Sequence, residues 1–327
     1  AAAVKIRGNA LSIVDGGNGH TPAEPLLLRA RLTQRPKGVA HLGLVILQAG
    51  ETLADLTAEM LDQRSRRLLS SLAAGDGLPL GEEAGTMRFS LLSNQTVLVF
   101  EEADGPGLSG SGAGAERRWL TLQPGAMAPG GTGGLQTARA TGGQGLQLEL
   151  SLLSNPWLGL GDLVASAQGR SPLLDFTALG DQAQALTVRL LRDAAYETTA
   201  GFYRILDRDG GVRDRLSGVL LHPGDADYGS AALAAAVRGG PLDGLKTGQG
   251  AVGLQQGRLQ ESGLLAPYAQ VAGQGTYFGF AAANPDGLQH MITLGSNVFG
   301  FEDQRGGGDR DFNDLVISIA LQPQPVG

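Results

Sequence analysis

Five carboxylates lie close together in one short segment near the end of the sequence. Within thirteen residues the chain carries Glu302, Asp303, Asp309, Asp311 and Asp314, together with the neutral oxygen donor Asn313. So many like charges repel one another unless a cation or a hydrogen-bond network gathers them. Oxygen ligands on a short, glycine-rich loop suit a hard cation, and Ca2+ above all. The segment therefore predicts a calcium site built from these six side chains.

The spacing of the donors resembles the opening of an EF-hand loop, but only its opening. Asp309, Asp311 and Asn313 occupy relative positions 1, 3 and 5, whereas Asp314 stands where an EF-hand has glycine and Ala320 where it has a bidentate glutamate. A strand-like apolar run follows in place of a helix, so the ligand set must be completed by the nearby Glu302 and Asp303. In the alternative interpretation, the acids accept backbone N–H bonds in turns and bind no metal.

A second acidic segment provides weaker metal candidates, namely Asp207, Asp209 and Asp214. Its Asp-x-Asp-Gly opening also resembles a calcium loop. The same residues are typical of a strand–turn–strand connection, since Asp-Gly and Gly-Gly are hairpin signals. Three neighbouring arginines neutralise much of the charge, so the turn interpretation is preferred here.

Composition limits the class of protein. The 327 residues include 52 glycines and only 5% aromatic residues, which indicates many turns and a β-rich architecture. The net charge of −7 argues against nucleic-acid binding. The absence of cysteine excludes disulfides, thiolate metal sites and cysteine catalysis. No apolar run is long enough to predict a membrane span.

The patterning predicts a mostly-β protein with two β-sandwich-like domains, residues 1–180 and 181–327. Leucines at 146, 148, 150 and 152 alternate with polar residues, as in a half-buried strand. Other strands are predicted at 26–32, 39–47, 87–92, 96–100, 119–122, 184–191, 201–206, 277–282 and 315–321.

Two helices and two loops complete the predicted organisation. Apolar residues at helical spacing predict an amphipathic helix over 53–74, capped by Thr52 and ended by Gly75. A shorter helix is predicted over 230–238. Glycine-rich loops are expected at 103–115 and 124–145.

The sequence does not predict an enzyme. The four histidines are scattered, and neither a nucleophile elbow nor a phosphate-binding loop occurs. A secreted glycoside hydrolase remains as an alternative, with Glu101 and Glu102 as available carboxylates. Because adjacent residues on a strand point to opposite faces, these two cannot pair with each other.

Five segments of the C-terminal half, in order, resemble the domain of unknown function 4114 family of bacterial secreted and surface proteins. They are residues 200–207, 221–228, 266–268, 281–287 and 299–315, and the last is the most specific. The resemblance implies an extracellular setting and calcium ligation by Asp309, Asp311, Asn313 and Asp314. It implies no activity, and the N-terminal half resembles no family that we can name.

Together these observations predict a secreted calcium-binding protein with a structural or adhesive role at the cell surface or in the extracellular matrix. Its expected partners are further copies of itself, in a homo-oligomer or filament, or a cell-surface glycan. The alternative is a calcium-dependent glycan-binding module, which needs an open coordination position and usually an aromatic platform. Phe299, Phe301 and Phe312 are close enough to serve, although phenylalanine at such positions is more often part of the core.

Overall fold

The computed structural model describes residues 3–14, 25–92, 94–102, 117–126, 135–153 and 171–322. These residues form antiparallel sheets with one α-helix in each half of the chain, which confirms the predicted mostly-β, sandwich-like class. The chain divides into two compact units: the first contains strands β1 to β11, and the second contains β12 to β22. No helix in the described ranges is long and apolar enough to cross a membrane.

The first unit contains two antiparallel sheets. One has the order β1-β2-β7-β4-β5, with β8 also paired to β7, and the other has the order β6-β3-β11-β10-β9. The strands are β1 (Ala3–Arg7), β2 (Ala10–Val14), β3 (Pro25–Gln34), β4 (Ala40–Leu47), β5 (Arg66–Ser71), β6 (Thr86–Leu92), β7 (Thr96–Glu102), β8 (Arg117–Trp119), β9 (Leu122–Pro124), β10 (Thr137–Thr141) and β11 (Gln147–Leu152).

The prediction of a helix over residues 53–74 is wrong for the second half of that range. Thr52 and Asp55 close a short 3-10 turn, Leu53–Asp55, and the α-helix α1 covers only Ala58–Arg64. The chain then extends into β5, which pairs antiparallel with β4. Backbone pairing at the sheet edge thus overrides the helical spacing of the later leucines, which are buried as strand residues. The helix itself packs across the sheet, with Leu61 against the cluster formed by β4 and β7.

Other predicted boundaries in the first unit need smaller corrections. The strand predicted at 119–122 is two strands, β8 and β9, and the loop predicted at 124–145 contains β10. The loop predicted at 103–115 lies outside the described residues. The alternation predicted over 146–153 is confirmed as far as residue 150, because Leu146, Leu148 and Leu150 are buried, but it fails beyond, where Ser151 is buried and Leu152 is half-buried.

The second unit contains two larger sheets and a small hairpin. The orders are β17-β13-β22-β21-β20 and β12-β18-β14, with β19 also paired to β18, and β15 pairs with β16. The strands are β12 (Leu174–Asp175), β13 (Gln184–Leu191), β14 (Thr198–Ile205), β15 (Val212–Arg213), β16 (Leu220–Leu221), β17 (Val252–Leu259), β18 (Leu264–Val271), β19 (Gly275–Phe278), β20 (Met291–Gly295), β21 (Val298–Phe301) and β22 (Leu315–Leu321).

One apolar core joins the two larger sheets of this unit. It includes Leu186 and Ile317 from one sheet and Phe202 from the other, and the Phe202 and Phe299 rings meet edge to face with centroids 5.8 Å apart. The helix α2 (Tyr228–Ala234) covers the opposite face of β14 and β18 with a second cluster. It begins two residues before the predicted start and ends before the predicted stop. The strand predicted at 277–282 ends at Phe278, and a 3-10 turn follows at Ala281–Ala283.

Candidate metal centre

The acidic segment forms the connection between β21 and β22, which are neighbouring antiparallel strands. Phe299 lies opposite Ile317, and the chain crosses from one strand to the other through residues 302–314. We call these thirteen residues the acidic loop. Its base is fixed by a bridge between the backbones of Phe301 and Asn313, and the side chains of Phe301 and Phe312 are both buried. The loop therefore stands on a rigid β-scaffold, as the flanking apolar runs predict.

The backbone of the loop adopts positive φ at five positions. The three glycines at 306–308 have φ of 83°, 85° and 45°, while Arg310 and Phe312 have φ of 59° and 56°. Left-handed backbone is unfavourable for residues with a Cβ, so positions 310 and 312 carry local strain. At Gly308 the need for glycine is also steric, since an added Cβ would lie 2.1 Å from Glu302 Oε1. The backbone therefore folds tightly over the Glu302 carboxylate.

One group of carboxylates lies inside the protein. Single oxygens of Glu302, Asp303 and Asp314 fall within 4.8 Å of one another, and the three residues have relative exposures of 0%, 0% and 7%. Asp314 Oδ2 accepts a bond from the backbone N–H of Asp303 at 2.8 Å. All four carboxylate oxygens of Glu302 and Asp303, however, are buried without a hydrogen bond of good geometry. The nearby backbone N–H groups of Gln304 and Tyr196 lower the pKa values of Glu302 and Asp303 and so counter only part of the rise caused by burial. We call Glu302, Asp303 and Asp314 the inner group.

A second group shares Glu302 and reaches the surface. Oxygens of Glu302, Asp309 and Asp311 also lie within 4.8 Å of one another, but Asp309 is exposed and Asp311 is half-buried. Asp311 Oδ1 accepts a bond from the backbone N–H of Asn313 at 3.2 Å, which orients it over the loop. We call Glu302, Asp309 and Asp311 the outer group. The acidic loop thus brings together all five predicted acids, and Asn313 is buried beside them.

The electrostatics of the inner group strongly disfavour its charged form. Burial, followed by repulsion from Asp314, Asp309 and Asp311, raises the pKa of Glu302 to about 9. Burial also raises the pKa of Asp314 to about 6, and it raises the pKa of Asp303 above its usual range. A carboxyl group kept from water and crowded by like charges holds a proton unless a cation replaces it.

Asp286 and His290 support the loop from the turn before β20. His290 Nδ1 lies 2.8 Å from the backbone carbonyl oxygen of Glu302, and its Nε2 lies 3.0 Å from Asp286 Oδ2. The same Asp286 oxygen accepts the N–H of Gly306 at 2.9 Å, and the ring of Tyr277 stacks on His290. Burial opposes ionisation of Asp286, but the bonds from Gly306 and His290 prevail and lower its pKa.

Sequence reasoning missed Asp286, His290 and Gly308 as parts of the site. Asp286 and His290 reach the acidic loop only because β20 pairs with β21 in a register that places Met291 opposite Phe301. No local spacing in the sequence signals that pairing. Gly308 lies in the glycine-rich loop that the sequence predicts, but its close approach to Glu302 depends on the folded loop.

The second acidic segment has the bonds expected of turn chemistry. Asp207 Oδ1 accepts from the backbone N–H groups of Asp209 and Gly211 at 3.0 and 2.9 Å. Asp214 accepts from the backbone of Ser217 at 2.9 Å. Among the described residues, the carboxylate groups close enough to share a metal do not include Asp207, Asp209 or Asp214.

The other side chains singled out from the sequence lie in different settings. Glu101 pairs with Arg118 and accepts the N–H of Gly143, and Glu102 pairs with Arg67 at 2.9 Å. Each glutamate is therefore engaged by its own arginine. The three phenylalanines near the acidic loop, Phe299, Phe301 and Phe312, are buried at 2–3% exposure and belong to the core.

Comparison with known proteins agrees with the sequence resemblance. A family model described as Domain of unknown function (DUF4114) matches residues 253–322, which include the acidic loop and its supporting residues. The N-terminal half has no family match. No protein of curated function matches the chain.

Proposed function

We propose that this protein is a secreted calcium-binding protein with a structural or adhesive role at the cell surface or in the extracellular matrix. The observation that carries the proposal is the inner group, in which four carboxylate oxygens are buried without a hydrogen bond of good geometry. Burying an unpaired polar group costs several kcal/mol, about 2–7 per group, and burying a charge costs more. A bound cation removes this cost directly.

The donor chemistry favours Ca2+ over other cations. Every side chain that converges in the acidic loop offers oxygen, and the inner and outer groups contain no histidine. Calcium accepts six to eight oxygen ligands in flexible geometry, whereas Mg2+ demands a near-ideal octahedron and Zn2+ prefers nitrogen and sulfur. An irregular loop with several carboxylates, an amide and backbone carbonyls suits the first of these ions.

Calcium binding would stabilise the folded second unit by linkage. The ligands converge only when β21 and β22 are paired, so the ion binds the folded chain in preference to the unfolded chain. Extracellular calcium modules bind weakly, with dissociation constants of about 10⁻⁴ to 10⁻³ M. Such a protein gains its full stability where calcium is abundant, as it is outside the cell.

The burial of the inner group favours a structural role for the ion, because a closed site offers no coordination position to a ligand.

The outer group supports a second candidate function, calcium-dependent glycan binding, since exposed Asp309 leaves one side of that group open to solvent. The buried phenylalanines offer no stacking platform for a sugar. The structural or adhesive role is therefore the better supported of the two.

The test is thermal unfolding of the whole chain in excess EGTA and in roughly 5–10 mM Ca2+, a range above weak extracellular sites. We expect a calcium-dependent rise in melting temperature that an Asp309→Ala/Asp311→Ala double variant reduces. An Asp181→Ala variant, which alters an exposed acid in the turn before β13, should keep the full rise. An identical melting temperature with and without calcium would refute calcium binding. Light scattering with and without Ca2+ then tests self-association.

A further inference from the structure

We infer that the acidic loop holds two cations rather than one, with Glu302 as the ligand common to both. A closed position uses the inner group, Glu302, Asp303 and Asp314, and an open position uses the outer group, Glu302, Asp309 and Asp311. This inference rests on the proposed calcium-binding function. It assigns the number of ions, the ligands of each and their difference in access to solvent.

The geometry points to two positions because the two groups share a single residue. Asp303 and Asp314 meet Glu302 in one group, and Asp309 and Asp311 meet it in the other, but the five acids do not form one group. Both oxygens of Glu302 are buried without a hydrogen bond of good geometry, so each is available to a different ion. Its Oε1 lies against Gly308, next to Asp309, which places that oxygen beside the glycine turn.

The buried carboxylate of Asp303 favours an ion in the inner group. Asp303 has an exposure of 0%, and neither of its carboxylate oxygens has a hydrogen bond of good geometry, although one lies within 4.8 Å of oxygens of Glu302 and Asp314. An ion held only by the outer group would leave this buried carboxylate uncompensated. An ion held only by the inner group would leave no cation among the oxygens of Glu302, Asp309 and Asp311, which lie within 4.8 Å of one another.

The two positions differ in their access to solvent. All three residues of the inner group are buried, so its ion should exchange slowly and hold little water. The outer group contains exposed Asp309 and half-buried Asp311, so its ion should keep water in part of its coordination shell. The closed ion then serves stability, and the open ion is the one able to meet an external oxygen ligand.

Stoichiometry measured on the full chain tests the inference. Calcium-free protein is dialysed against Ca2+ at millimolar concentration, and the bound metal is determined by elemental analysis. Asp303→Asn removes a ligand of the closed position only, Asp309→Asn removes a ligand of the open position only, and Glu302→Gln removes the shared ligand. Asp181→Asn is the matched control. We expect Asp303→Asn and Asp309→Asn to lose one ion each, Glu302→Gln to lose two, and the control to lose none.

The possible results distinguish failure of the two-ion inference from failure of the calcium-binding proposal. If the wild type binds a single ion, or if the double variant Asp303→Asn/Asp309→Asn loses no more than either single variant, one ion is shared and the inference is overturned while calcium binding stands. If no variant differs from the wild type, both proposals fall. Should Asp303→Asn fail to fold by circular dichroism, the comparison of Asp309→Asn with Glu302→Gln still decides, since Asp309 is exposed.

Terbium luminescence tests the difference between the two positions. Tb3+ replaces Ca2+ at oxygen sites, and its luminescence lifetime in light and heavy water reports the bound water. We expect a longer lifetime in light water for Asp309→Asn, which keeps the closed position, than for Asp303→Asn, which keeps the open one. Equal lifetimes would overturn the assignment of a closed and an open ion.

Discussion

Replacing Gly308 by alanine should abolish calcium binding while leaving the strands around the loop in place. The added Cβ would lie 2.1 Å from Glu302 Oε1 and 2.9 Å from its carboxyl carbon. Real Cβ atoms do not approach other heavy atoms so closely, so either the glutamate side chain or the loop backbone must move. Because the inner and outer groups both depend on Glu302, its displacement disturbs both.

The size of the effect follows from two contributions. Alanine at a φ of +45° has a left-handed backbone, which costs about 1–2 kcal/mol for a residue with a Cβ. Displacing Glu302 adds the loss of both ions, and at 100 times its dissociation constant each bound ion contributes about 2.7 kcal/mol. The variant should therefore lose about 6–7 kcal/mol in calcium but only about 1–2 kcal/mol in EGTA.

Gly306→Ala is the matched control for the backbone cost. Gly306 has a φ of +83°, yet an added Cβ there would meet no heavy atom within 4 Å. Both variants should unfold at similar denaturant concentrations in EGTA, whereas only Gly308→Ala should lose the stabilisation by calcium. The five tyrosines all lie between residues 196 and 277, so the tyrosine bands of near-ultraviolet circular dichroism follow the second unit. An equal response of both variants to calcium would refute the role assigned to the Glu302 contact.

Three further predictions address the electrostatics, the support of the loop and the first unit. Since the pKa of Glu302 is raised to about 9, folded calcium-free protein retains a proton that the unfolded chain releases. Glu302 should thus lower the free energy of unfolding by up to about 1.4 kcal/mol per pH unit as the pH rises from 5 to 9. Denaturant titrations should show this slope reduced in Glu302→Gln; parallel profiles would contradict it. Asp286→Ala removes the acceptor of the Gly306 N–H and should weaken calcium binding about 10–100-fold by calorimetry, unlike Asp181→Ala. Gly43→Ala places a Cβ 2.2 Å from the Phe100 ring, so it should lower the melting temperature followed by tryptophan and leave the calcium response unchanged.

The acidic loop could be located from the sequence because its signal is local. Carboxylates, an amide and three glycines occur within one connection, and the apolar runs on both sides mark the strands that carry it. Likewise, the strands at 184–191 and 315–321 were predicted with their observed bounds, since both combine strand residues with clear turns at their ends. Their central positions in one sheet bury Leu315, Val316, Ile317 and Ile319 of β22.

What could not be predicted depends on pairing between distant segments. The leucines of β5 have helical spacing in the sequence. Their extended conformation is selected by the antiparallel backbone pairing of β5 with β4. The division of the acids into an inner and an outer group is also tertiary, because Glu302 and Asp303 are adjacent in sequence yet only Glu302 belongs to both groups. Propensity and periodicity describe one segment at a time. Neither includes the distant strand whose pairing selects the conformation of that segment.

The place of β22 in its sheet has a consequence for the order of folding. It is the last strand of that sheet in chain order, yet it lies between β13 and β21 at the centre. During synthesis the hairpin of β20 and β21 can form early, but it has no link to β13 and β17 until residues 315–321 emerge. Because the acidic loop comes just before β22, the cation ligands and the closing strand become available together. Completion of the second unit is thereby delayed until residues 315–321 have emerged, when a bound ion and this closing strand can lock the sheet in a single late step.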